Sequence, residues 1–168
     1  MKNKNSNQVC ILSIAPSARG FGFAIMKDAK VLVDWGTRRY ADKDQKNSQL
    51  LPKIENLIAR FQPGLLVLPD AFEKGSRRAQ WIRKLVKQTM LLARRHGIEV
   101  GLVPQEQLRQ FFFAGRKGSK HARAKIIAER FPEELADLLP PERQAWMPEH
   151  HQMQMFDAVA LALAHFKT

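Results

Sequence analysis

The chain has 168 residues, 45% of them apolar, which is enough for one domain with a buried core and no covalent staples. Its single cysteine excludes an internal disulfide and a cysteine-held zinc cluster, and no apolar run approaches the roughly 18 residues of a membrane span. Lysine and arginine total 28 against 16 aspartates and glutamates, a formal net charge of +12 that points to a polyanionic partner. Residues 1–7 carry charge but no hydrophobic stretch of signal length, so they read as a short flexible basic arm. Residues 8–168 are expected to form a single domain, and the lone thiol fits a reducing cytoplasm.

Residues 9–15 are a mostly apolar run that ends in Pro16-Ser17-Ala18-Arg19-Gly20, and a second apolar run comes directly after. This pattern predicts a buried strand, a tight turn and a returning strand. Gly20 and Gly22 allow the turn, or the close approach of another backbone. Residues 30–36 read as a third strand, and connections this short require the three to be antiparallel. Leu50, Leu51, Ile54, Leu57, Ile58 and Phe61 recur at helical spacing over 48–61, with Pro52 expected in the first turn. Residues 65–68 are a short buried strand ending at Pro69-Asp70.

A long helix is expected next, opened by Ser76 as cap and stopped by Gly97, with its basic residues on exposed faces. Residues 98–103 form a fifth strand, and helices over 105–113 and 120–131 flank the loop 115–119. A proline-punctuated stretch covers 138–148, and a helix rich in Ala and Leu runs over 152–166. The order β-β-β-α-β-α-β, then helices, predicts an α/β fold. Three antiparallel strands lead by right-handed α-crossovers into parallel ones, giving a mixed five-stranded sheet with helices on both faces.

The charge is unevenly spread. Seven basic residues and no acid lie between Arg77 and Arg95 (Arg77, Arg78, Arg83, Lys84, Lys87, Arg94, Arg95). Six more, again with no acid, lie between Arg109 and Lys125, among them Arg116, Lys117, Lys120 and Arg123. Blocks of one sign are the footprint of a surface that tracks phosphates. Gly115-Arg116-Lys117-Gly118 has the spacing of a GXXG backbone clamp, though no strand comes after it, and Gly118-Ser119-Lys120 lacks the order of a Walker A loop.

Ile11-Leu12-Ser13-Ile14-Ala15-Pro16-Ser17-Ala18-Arg19-Gly20-Phe21-Gly22 resembles the opening of the RuvC-type Holliday junction resolvases, I-x-G-I-D-P-G-S-x-x-x-G-Y-G, with a shorter turn. Gln154-Met155-Phe156-Asp157-Ala158-Val159-Ala160-Leu161-Ala162-Leu163-Ala164-His165 resembles their closing helix. Leu66-Val67-Leu68-Pro69-Asp70 falls where that family keeps its second acid. The resemblance covers residues 8–167 and implies the RNase H-like fold, a branched DNA partner and a homodimer matched to the two symmetric strands of a junction.

It also implies phosphodiester hydrolysis by two divalent ions, Mg²⁺ or Mn²⁺, held about 3.5–4 Å apart by carboxylates. Carried over residue by residue, the family's first acid falls on Ala15, the second on Pro69 with Asp70 beside it, the third on Gln154 and the fourth on Asp157. The resemblance thus makes Asp70 and Asp157 the catalytic carboxylates and metal ligands. Glu149, His150 or His151 could supply a missing ligand. Lys120 falls where the family keeps a basic residue near the scissile strand, and Arg77, Arg78, Arg83, Lys84, Lys87, Arg116 and Lys117 are the other candidate DNA contacts.

Plainer roles are open to the same residues. Asp70 could be an ordinary loop carboxylate or cap a helix, Asp157 could answer the helix dipole, and Phe111, Phe112 and Phe113 fit core packing better than base stacking. The leading expectation is a metal-dependent endonuclease for branched or structured DNA. The alternative, resting on Ala15, is a module on the same fold that binds DNA or protein without cutting.

Overall fold

The computed structural model describes residues 9–167, so the expected arm at 1–7 lies outside the described residues. β1 (Ile11–Ser17), β2 (Gly20–Asp28) and β3 (Val31–Arg39) form an antiparallel meander. β4 (Leu65–Pro69) and β5 (Glu99–Val103) extend it in parallel, giving the sheet order β3-β2-β1-β4-β5. α1 (Lys46–Phe61) and α2 (Gln80–Arg95) make the two crossovers, and α3 (Gln105–Phe113), α4 (Lys120–Arg130), α5 (Pro132–Leu135) and α6 (Met153–Phe166) complete the chain. The expected mixed sheet with helices on both faces is the architecture found.

Strand periodicity divides the core into two layers. Leu12, Ile14, Phe21, Phe23 and Ile25 point one way, into the layer shared with α1 and α2. Ile11, Ala15, Ala24 and Met26 point the other way, into the layer shared with α4, α5 and α6. α6 is buried along most of its length, which explains its small and branched apolar residues. The helix lies so close to the sheet that a Cβ on Gly22 would collide with the backbone carbonyl of Gln154. Ser13 ties the same two elements together, its buried hydroxyl donating to the Ala158 carbonyl at 2.7 Å. No helix among the described residues is long and apolar enough to cross a membrane.

Several boundaries differ from expectation, each for a local reason. β1 runs on through Pro16 to Ser17, leaving a turn of only Ala18 and Arg19 before β2. A proline is tolerated there because β1 pairs with β4 only from Ile11 to Ser13, so beyond that point it has a partner on one side. α1 begins at Lys46, behind a 3₁₀ turn (Lys43–Gln45) whose Asp42 side chain accepts from the Asp44 N–H. Pro52 is therefore inside α1 rather than in its first turn.

Ser76 does not open α2. Gly75, at φ +83°, and Ser76 belong to a loop over 70–79, and the helix starts at Gln80 without a side-chain cap. Arg77 and Arg78 consequently sit on this loop, not on a helix face. Gly97, at φ +68°, does come just after the last turn of α2.

Candidate nucleic-acid interface

β1 and β4 stop pairing after Ser13 and Val67, while β4 stays paired with β5 as far as Pro69 and Val103. The two central strands part, and a cleft of about 340 Å³ opens at their C-terminal ends. This is where an open sheet with parallel central strands presents a ligand crevice. Ala15, Pro16 and Pro69 form its floor, Glu73, Arg77 and Arg78 lie on one wall, and Lys120, Arg123 and Asp157 on the other.

Asp157 lies on the second turn of α6, so the dipole of that helix is not what holds it. Arg123, only 13% exposed, donates from Nη2 to its Oδ1 at 2.8 Å. Lys120 Nζ lies 3.5 Å from Oδ2 and 3.2 Å from Glu149 Oε1. The first turn of α4 thus delivers both cations, three residues apart and so on one face. Ser119 starts that turn by accepting from the Ala122 N–H at 3.0 Å.

The opposite wall adds Arg77 and Arg78. Burial pushes the Arg78 guanidinium below the usual arginine range, and the charges of Asp157 and Glu73 oppose that shift. Glu73 accepts from the Gln105 N–H at 3.3 Å, so it serves an otherwise unpaired donor at the start of α3.

Outside the cleft the cations continue. Arg77 and Arg78 are shared with a shallow groove that Phe72, Gln80, Arg83, Lys84 and Lys87 complete. Arg83 braces the loop by donating to the Ser76 carbonyl at 2.8 Å. The Phe72 ring is half exposed beside these arginines. Arg116 and Lys117 are exposed on the loop ahead of α4 but line neither cavity.

Of the three candidate metal ligands, Asp157 and Glu149 meet at Lys120 Nζ, and Asp70 does not line the cleft. Asp70 sits at the end of β4, where its Oδ1 accepts from the Phe72 N–H at 3.0 Å and the residue stays out of the cleft lining. Glu149 lines a neighbouring cavity of about 300 Å³ with His150 and Arg143. His150 is exposed and His151 is partly buried, with the two rings stacked at 4.4 Å. Burial lowers the His151 pKa, and the charges of His150, Arg39 and Arg19 push it the same way. Phe111 and Phe112 pack against the core, in keeping with their plainer role.

Reasoning from sequence missed Arg123 and Glu73 as cleft residues. Arg123 left one signal, its i,i+3 spacing from Lys120; Glu73 left none.

No protein-family model and no curated protein sequence matches the chain. Solved structures do. Thermus thermophilus RuvC superposes with a TM-score of 0.66 at 15% identity, covering 94% of this chain and 93% of its own. The yeast mitochondrial Holliday junction resolvase Ydc2 gives 0.65 at 11% identity, over 95% and 80%. The fowlpox virus resolvase, solved with its Holliday junction substrate, gives 0.53 at 12%, over 95% and 98%. The fold is that of the RuvC-type resolvases.

The RuvC-type metal pair does not fit this donor set. Ala15 and Pro69 at the strand ends offer no side-chain lone pair that could coordinate an ion. Gln154 is buried at 6% exposure with its Oε1 unpartnered, and it does not reach the cleft. Asp157 already holds two cations. Among the described residues no three His, Cys, Asp or Glu side chains are placed to hold a metal.

Proposed function

We propose that this chain is a RuvC-like protein that engages branched or structured DNA across the cleft between β1 and β4. The observation that carries the reading is the continuity of charge. Lys120 and Arg123 on one wall face Arg77 and Arg78 on the other, and those two lead into the groove of Arg83, Lys84 and Lys87. A strip of this kind neutralises successive backbone phosphates, while the fold supplies the shape that receives a branch. Arg116 and Lys117 extend the contact beyond the cleft. A homodimer suits a partner with two symmetric strands, residues 8–168 act as one unit, and a cytoplasmic setting suits the lone Cys10.

Two forms of this reading agree on DNA contact and differ in whether a strand is then cut. Cutting, as a divalent-metal-dependent endonuclease, draws support from the RuvC-like fold. Holding without cutting draws support from one specific feature, the exchange of the acidic positions for Ala15, Pro69 and Gln154.

The common reading is tested by titrating a labelled four-way junction across a salt series. Log affinity should fall with log salt by about 0.9 for each phosphate neutralised on duplex arms. A flat response contradicts it. Incubating junction, flap and duplex DNA with Mn²⁺ then separates cutting from holding.

A further inference from the structure

Two divalent ions bring four positive charges, so a cleft that holds them must be acidic. This cleft carries four cationic side chains against two carboxylates. We propose that Arg78, Lys120 and Arg123 stand in for a metal pair here, so that the cleft seats a DNA backbone phosphate directly and without a divalent ion. The inference rests on the DNA-binding reading and specifies how the same site grips its ligand.

Arg123 is the centre of it. One Nη2 contact to Asp157 uses part of a guanidinium that has five N–H donors in a planar fork. Arg123 lines the cleft, which is large enough for a phosphate group, so the donors left over from its contact with Asp157 can meet one there. Lys120 divides itself between two carboxylates at 3.2 and 3.5 Å, both long for charge-assisted bonds, and so is free to shorten onto a phosphate oxygen. Arg78 approaches from the other wall, where it is partly withdrawn from water and an incoming anion would offset the cost of burying its charge. Asp157 is then a positioning residue that sets Arg123 and Lys120 at the cleft. The floor of Ala15 and Pro69 adds no negative charge of its own, so Glu73 and Asp157 are the carboxylates a phosphate meets in the cleft lining.

The test is fluorescence anisotropy of a labelled four-way junction with the full chain, in EDTA and again in millimolar Mn²⁺. Affinity in EDTA should equal or exceed that in Mn²⁺, because added divalent counterions compete for the same phosphates. Arg123→Ala should weaken binding about tenfold in both buffers, the value of one charge-assisted contact, and Arg123→Lys should recover part of the loss. Ala15→Asp, which rebuilds the first acid, should weaken binding in EDTA; if it does not fold, the wild-type and Arg123 measurements decide alone. Binding that collapses in EDTA and returns with Mn²⁺, or that ignores Arg123→Ala, overturns the inference and leaves the DNA reading intact. Absence of salt-sensitive binding in both buffers overturns the two together.

Discussion

The floor of the cleft and its walls have gone separate ways. The floor, at the ends of β1 and β4, is made of Ala15, Pro16 and Pro69 and carries no charged or coordinating side chain. The walls, on loop 70–79 and the first turn of α4, carry the charge that makes the cleft attractive to an anion. The floor is fixed by packing that does not depend on what the strand ends do. Ser13 bonds α6, Gly22 admits it, and Leu12 and Ile14 hold the opposite layer. A crevice held this way keeps its shape whatever side chains line it.

If the walls alone grip the ligand, reversing them has the largest effect. Arg78→Glu combined with Lys120→Glu should reduce junction affinity by more than about a hundredfold at low salt, close to 3 kcal/mol. It should also flatten the salt dependence, both read from anisotropy titrations. Disturbing the floor's support comes next. Gly22→Ala pushes a methyl into the Gln154 backbone and should lower stability by roughly 1–3 kcal/mol in urea unfolding, moving Asp157 and so loosening binding.

Smaller effects mark the outer groove. Lys84→Ala and Lys87→Ala should each weaken binding a few-fold and lower the salt slope by about 0.9. Arg94→Ala should leave affinity within error, since Arg94 sits at the far end of α2, outside the cleft and the groove. A loss at Arg94 equal to that at Lys84 would mean diffuse charge rather than a defined strip.

The same division governs what was legible in the sequence. The succession of strands and helices could be read because apolar spacing records it, down to Leu50, Ile54, Leu57 and Ile58, all buried in α1. Pro16 hid the true end of β1, because a proline reads as a stop unless one knows that the strand has lost a neighbour. Gly75-Ser76 imitated a helix start, since a serine that accepts from the N–H two residues on belongs equally to a loop.

At the site, the resemblance singled out Asp157 and Lys120, and both line the cleft. It could not give their relation, which depends on how α4 packs against α6. Arg123 was one of six cations in a run, and only that packing distinguishes it. Asp70 stood out by position at the end of β4, and there its Oδ1 accepts from the Phe72 N–H.

The most direct measurement is a crystal of the chain with a four-way junction grown in Mn²⁺, with anomalous diffraction collected to locate the metal. A backbone phosphate within hydrogen-bonding distance of Arg123 and Lys120, with no anomalous peak in the cleft, is the expected result. A pair of peaks about 3.5–4 Å apart beside Asp157 would contradict it.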